Sequence, residues 1–110
     1  MGLFWNRTLF HSSYNLHNAI ADLASVMKPQ LTILDAVYAL LTNGPQGPGK
    51  TVQLNTIIAG PDPVAVDAAC CELAEWNNRS TSASQVLHIA KAAGRGIGTL
   101  DLSALRIHKP

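Results

Sequence analysis

The chain has 110 residues, of which 47% are hydrophobic and 14% are charged, with a formal net charge of +1 at pH 7. This length predicts one domain, and the apolar content is typical of a globular protein rather than a disordered one. The near-neutral charge and the lack of a Lys/Arg cluster argue against a nucleic-acid-binding surface. The sequence has no run of 18 apolar residues, so it predicts no membrane span.

The two cysteines, Cys70 and Cys71, are adjacent in the sequence. Neighbouring residues of a helix point in different directions, which excludes a disulfide scaffold and favours a reducing, cytoplasmic compartment. A structural zinc site or an iron–sulfur cluster needs several spaced cysteines. We therefore expect no cluster held by this chain alone.

The N-terminal third predicts a strand and then a helix. Residues 3–5 (LFW) are the candidate strand, and Ser13 or Asn15 is a suitable helix cap. Pro29 would end this helix, and His17 would lie on its solvent face. The apolar stripe expected to face the core has helical spacing and consists of Leu16, Ile20, Leu23 and Met27.

Two apolar runs flank an irregular segment in the middle of the chain. Residues 31–34 (LTIL) are typical of a buried strand, which the charged Asp35 would end. Residues 36–42 fit either a helix or a turn. Residues 43–50 (NGPQGPGK) predict an irregular loop because of their glycines and prolines, and residues 54–59 (LNTIIA) predict a second strand.

Helices dominate the C-terminal half. Asp62 and Pro63 favour a helix start, because an N-cap aspartate accepts a backbone hydrogen bond and proline has helical φ already. That helix is predicted over residues 64–75. A capping box at residues 82–85 predicts a third helix to about residue 93, and residues 104–108 alternate like a last short strand.

These elements predict an α/β or α+β domain with the order β-α-β-β-α-α-β. We expect about three helices on a short mixed sheet of three to four strands, arranged as a small two-layer or three-layer sandwich.

Residues 44–51 (GPQGPGKT) match the P-loop pattern G-x-x-x-x-G-K-[ST]. A true P-loop leads directly into a helix, whereas the residues after Thr51 predict a strand, so the context argues against nucleotide binding. The loop is also suited to a simpler anion. The expected ligand-binding residues are Asn43, Gly44, Gly47, Gly49 and Lys50.

Three aspartates surround this loop in the sequence. Asp35 and Asp62 would lie at one edge of the sheet if the two strands were parallel neighbours, and ligands bind at such edges. Asp67 falls among small apolar residues, where a carboxylate is costly unless it is paired or bound to a metal. With His11, Asp35 and Asp67 would suit a divalent ion. Asp62 and Pro63 would be structural.

A simpler interpretation uses no ligand. Asp62 caps a helix, Asp35 stabilises a turn, and Asp67 faces solvent or accepts bonds from loop backbone. The sequence leaves both interpretations open.

Four segments together resemble the uncharacterised family called domain of unknown function 362: KPQLTILDAV, TNGPQGPGK, IIAGPDPVAVDAACCELA and AAGRGIGTLDLSALRI. NRTLFHSSYNLHNAIADL is similar to the family's Arg-x-x-x-His stretch, here Arg7 and His11. The resemblance implies that residues 1–110 are a single domain, the C-terminal part of a larger family domain. Family members often carry a ferredoxin-type [4Fe–4S] module, which the resemblance would place only in a partner module or a missing region.

The family has no settled reaction, so the resemblance implies a site but not whether the chain is an enzyme. Three functions follow as alternatives. The first is a metal- or small-anion-binding domain associated with an iron–sulfur protein, and the second is nucleotide binding through residues 44–51. The third is a non-catalytic structural or association fragment. A missing upstream half would leave an apolar face uncovered, which predicts a homo-oligomer or a partner there.

Overall fold

In a computed structural model, which describes residues 14–109, the chain forms three α-helices and a two-stranded sheet. The helices are α1 (Leu16–Val26), α2 (Pro63–Cys71) and α3 (Leu87–Gly94), and the strands are β1 (Thr32–Leu40) and β2 (Thr51–Gly60). Short 3-10 helices cover Ala83–Gln85 and Leu102–Ala104. The fold class is therefore α+β, in agreement with the sequence prediction. The strand predicted at residues 3–5 lies outside the described residues.

The strands β1 and β2 form an antiparallel hairpin in which Thr32 lies opposite Gly60 and Leu40 lies opposite Thr51. A connection of ten residues between paired strands suits a hairpin, whereas a parallel pair needs a crossover of a dozen residues or more. The parallel arrangement considered from the sequence is therefore wrong. Within residues 14–109 the sheet has two strands rather than three to four, and it is not mixed.

Asp35 does not end its strand, contrary to the sequence prediction. The strand β1 continues to Leu40, and its pairing is irregular between Ala36 and Tyr38. At this irregularity the Val37 N–H donates to Asp35 Oδ1 over 2.9 Å. The aspartate thus satisfies a backbone donor inside the strand, and the undecided residues 36–40 belong to β1.

The predicted C-terminal strand at residues 104–108 is also wrong. The chain there forms the 3-10 helix Leu102–Ala104 and then continues without regular structure to residue 109. Alternating polarity supports a strand only where a neighbouring strand offers backbone partners, and none lies beside this segment in the described part of the chain.

The helices α1 and α2 begin where expected, but α2 ends early and α3 begins late. The helix α2 stops at Cys71 rather than near residue 75. Gln85 Oε1 accepts from the Ser82 N–H over 3.0 Å, as a capping box requires, but this cap opens a 3-10 turn. The helix α3 starts only at Leu87.

The core consists mainly of small side chains between the helices. The helix α1 packs against α3, and α2 packs against the hairpin and α3. A Cβ built on Gly60 would lie 3.3 Å from Val66 Cγ2, so α2 lies close to the sheet. The central buried cluster contains Ala21, Val64, Ile89 and Ala92.

The predicted apolar stripe of α1 is not its buried face. The buried residues of this helix are Ala19 and Ala21, and Met27 is 48% exposed. His17, which was expected in solvent, is half-buried against α3. Small alanines allow the helices to approach closely, which rotates the larger side chains away from the core.

Gly49 offers a direct test of the hairpin loop. A Cβ at this position would lie 1.9 Å from the Thr42 carbonyl oxygen, so the backbone must move to accept a side chain. We expect Gly49→Ala to lower the free energy of unfolding by about 2 kcal/mol or more in urea denaturation. Gly44→Ala is the matched control, because its nearest neighbour would be Leu40 Cδ2 at 3.8 Å. Equal losses for the two variants would contradict this packing.

Candidate functional site

The glycine-proline loop at residues 43–50 is the tip of the hairpin and is held by its own hydrogen bonds. The Gly47 N–H donates to the Asn43 carbonyl over 2.8 Å, and Asn43 Nδ2 donates to the Pro48 carbonyl over 3.0 Å. The Lys50 N–H donates to Thr42 Oγ1 over 2.9 Å. The structure therefore brings the predicted ligand-binding residues Asn43, Gly44, Gly47, Gly49 and Lys50 together in one ordered turn.

This loop does not have the geometry of a P-loop. The strand β2 begins at Thr51, directly after Lys50, so no helix N-terminus faces the loop. The N–H groups of Gly47 and Lys50 are already used, and the prolines have none to offer. A phosphate cradle needs several free N–H groups pointing at one place, so the exposed Lys50 ammonium is the main remaining anion ligand.

Asp62 has both carboxylate oxygens engaged by backbone. Its Oδ1 accepts from the Ala65 N–H, which caps α2, and its Oδ2 accepts from the Thr99 N–H, each over 2.9 Å. A Cβ on Gly98 would collide with this carboxylate, so the turn after α3 lies directly on it. Asp62, followed by Pro63 at the first turn of α2, therefore has the structural role expected from the sequence.

The hairpin separates the loop from Asp62. The strand β2 joins them and is ten residues long, so they lie at opposite ends of a strand of roughly 30 Å. A single site at one rim of the sheet, with the loop and Asp62 side by side, is not formed.

Asp35 lies on the face of the hairpin that α2 does not cover. It pairs with Ile57, which is 66% exposed, whereas α2 packs against the face that carries Gly60. Side chains alternate between the two faces along each strand. The structure therefore does not bring Asp35 beside Asp67, and His11 lies outside the described residues.

Asp67 instead lies near titratable side chains of α3 and of its own helix. It is half-buried on α2, and the charge of His88 on α3 acts on it. The His88 ring stacks on that of His17 from α1, with centroids 5.7 Å apart and ring planes inclined by 4°. The Nδ1 atoms of both rings are buried without a hydrogen-bond partner within residues 14–109.

Burial dominates the electrostatics of this group. Desolvation raises the pKa of Asp67, and the nearby His88 acts in the opposite direction. Burial also raises the pKa of Cys70 and Cys71, with a smaller contribution from Asp67 in each case. Both thiols are free, so Asp67 and the two cysteines form a region of raised pKa values, and perturbed ionisation is typical of functional sites.

No three His, Cys, Asp or Glu side chains within residues 14–109 are already arranged around a common metal position. The group of Asp67, His88 and His17 supplies the right ligand types, a carboxylate and two imidazoles, but it is not a closed coordination shell. Sequence reasoning missed His17 and His88 as ligand candidates because it interpreted both as surface or half-buried side chains. Only the packing of α1 on α3 brings the two rings together.

Comparison with known protein families gives a match to the N-terminal part of the chain. The family model described as a domain of unknown function (DUF362) matches residues 1–72, about two thirds of the sequence. The chain belongs to the DUF362 family. The matched residues include the hairpin, its loop, Asp62 and Asp67, whereas His88 lies beyond them. No curated protein and no solved structure matches the chain.

None of the helices described for this DUF362 domain is long and apolar enough to cross a bilayer. Its compartment and its association with an iron–sulfur module stay predictions.

The raised pKa of Asp67 predicts a pH-dependent cost. The folded DUF362 domain binds this proton more tightly than the unfolded chain does, because desolvation disfavours the carboxylate. The contribution of protonated Asp67 to stability is fully present below its ordinary pKa of 3.8, and it is lost as the pH rises through the raised pKa of the folded state. We expect metal-free Asp67→Asn to melt at a higher temperature than the wild type at pH 7, with a difference that shrinks towards pH 4.

Asp35→Asn is the control for this measurement, since it changes the net charge equally at an exposed position. A gain that is the same for both variants, or the same at both pH values, would show that burial of Asp67 is not its cause.

Asp62→Ala tests the connection between α2 and the turn after α3. The variant loses the cap of α2 and leaves the Thr99 N–H without its acceptor, so we expect a loss of about 2 kcal/mol or more in urea denaturation. Asp101→Ala is the control, because Asp101 caps only the exposed 3-10 helix through the Ser103 N–H. A loss no larger than that of the control would rule out a long-range role for Asp62.

Proposed function

We propose that the domain binds a divalent metal ion of borderline character, such as Zn²⁺, through Asp67 and His88. The observation that supports this is the half-buried carboxylate of Asp67 within the electrostatic reach of an imidazole whose Nδ1 is buried and unpartnered. Desolvation disfavours the charged carboxylate of Asp67, and an unpaired imidazole nitrogen is costly in a protein interior, so a shared metal ion would offset both costs.

The third ligand comes from one of two histidines. His17 stacks on His88 and has its own unpartnered Nδ1, so it is the candidate for a second imidazole among residues 14–109. His11 was predicted from the sequence and precedes His17 by six residues along the chain. One carboxylate and two imidazoles leave an open coordination position, which would polarise a small ligand or activate a water.

A titration with Zn²⁺ alone tests this function. We expect wild-type protein, purified with chelator and dialysed, to take up about one ion and to gain about 2.7 kcal/mol of stability at a hundredfold excess over Kd. Asp67→Asn and His88→Gln should each weaken uptake at least tenfold, as measured by equilibrium dialysis with elemental analysis. His17→Gln and His11→Gln then identify the third ligand.

Two controls keep this test specific. Asp35→Asn removes the carboxylate that lies on the other face of the hairpin, and His108→Gln removes an exposed imidazole near the C-terminus. Both should bind Zn²⁺ like the wild type. If Asp67→Asn melts higher without metal but no longer responds to Zn²⁺, the carboxylate is kept for binding at a cost in stability. Unchanged Zn²⁺ uptake in Asp67→Asn would refute the proposal.

The hairpin loop is a second candidate, for a small anion. Its support is the exposed ammonium of Lys50, which has no ion-pair partner within residues 14–109, on a turn held by internal bonds. One lysine on a loop with few free N–H groups predicts weak binding. Inorganic phosphate should raise the melting temperature of the wild type but not of Lys50→Ala, and equal responses would exclude this loop.

A further inference from the structure

The hairpin has an apolar face that nothing covers in the described part of the chain. The helix α2 packs on the face of Gly60, so the opposite face carries Leu31, Ile33, Tyr38 and Ile57, which are 58%, 64%, 69% and 66% exposed. A two-stranded hairpin alone is marginal in water and gains stability from packing on its faces. We call this surface the hairpin ridge.

An apolar groove lies next to the hairpin ridge. It has a volume of about 550 Å³ between the end of α1, the linker to β1 and the start of α2. Its lining includes Ile20, Leu23, Met27 and Pro63, with Lys28 at its side. The linker residue Gln30 lines the groove and directly precedes Leu31, so groove and ridge adjoin.

We propose that a second copy of this chain covers these surfaces, in a two-fold dimer in which the hairpin ridge of each copy packs into the groove of the other. A two-fold interface requires one self-complementary surface, and this molecule has the hairpin ridge and the groove side by side. The two-fold symmetry makes the contact of ridge with groove twice.

The exposed area is of the size that a dimer needs. Met27 of the groove is 48% exposed, and its chain neighbour Val26 is 83% exposed. Together with the side chains of the ridge, they present on the order of 700 Å² of largely apolar surface. Monomeric proteins rarely leave more than about 600 Å² in one patch, and a standard interface buries about 800 Å² per partner.

Charge supports the same pairing. Asp35 is the one charged residue among the outward positions of β1 and β2, and Lys28 is the one charged residue that lines the groove among residues 14–109. Neither forms an ion pair within residues 14–109. Packing of ridge into groove brings Asp35 of one copy towards Lys28 of the other, which would set the register of the dimer.

Sedimentation velocity of the full chain from about 1 to about 200 µM, with chelator present, tests the dimer. We expect a concentration-dependent dimer for the wild type and at least a hundredfold weaker association for Ile57→Asp. Ile107→Asp is the matched control, because Ile107 is 56% exposed but lies on the C-terminal segment. Ile57→Thr, which keeps a β-branched strand residue, should weaken the dimer about tenfold while circular dichroism stays unchanged.

Charge reversal then tests the register. Lys28→Asp and Asp35→Lys should each weaken association, and the double variant should recover most of it. A wild type that stays monomeric over the whole range overturns the proposal and leaves the face to another occupant. Association that survives Ile57→Asp, or that Ile107→Asp weakens equally, overturns it as well. A double variant no better than the single ones overturns the ridge-into-groove arrangement.

Discussion

The two hydrogen bonds to the carboxylate of Asp62 hold the helical half of this domain together. One oxygen caps α2 through Ala65, and the other accepts from Thr99, beyond α3. Because both acceptors belong to one side chain, the start of α2 and the turn after α3 cannot move independently. The helix α3 is thereby fixed against α2, and α1 packs on α3 with alanines at the contact.

The candidate metal ligands depend on that arrangement. Asp67 lies on α2, His88 on α3 and His17 on α1, so the group exists only while all three helices keep their packing. This group is less well satisfied than Asp62, because desolvation disfavours the carboxylate of Asp67 and the two buried ring nitrogens have no hydrogen-bond partner in the described region. The contrast separates a carboxylate that stabilises the fold from one that costs stability and is therefore a candidate for function.

The antiparallel hairpin explains why the expected single site divides into separate features. The glycine-proline loop and Asp62 lie at opposite ends of β2, and antiparallel pairing places the end of β1 beside the loop rather than beside Asp62. Alternation along β1 places Asp35 on the face away from α2, where it lies among exposed apolar residues. The same geometry keeps the aspartates apart and leaves an apolar face that no other element within residues 14–109 covers, which is the surface we assign to a second copy.

Local chemistry in the sequence was enough for several features. The Asp62-Pro63 helix start, the irregular loop at residues 43–50 and the three helices follow from capping preferences, proline geometry and helical spacing, each of which acts over a few residues. Membership of the DUF362 family followed from short motifs of the same kind. These features do not depend on which distant segments meet.

Only the tertiary structure decided strand direction, the buried face of α1 and the neighbours of Asp67. The direction of β2 depends on long-range backbone pairing, which the apolar pattern of either strand leaves unspecified. The face of α1 depends on how closely two alanine-lined helices approach, and this approach moved His17 from the expected solvent face to a stack on His88. These three features depend on contacts between residues far apart in the chain, and no short segment of the sequence contains both partners of such a contact.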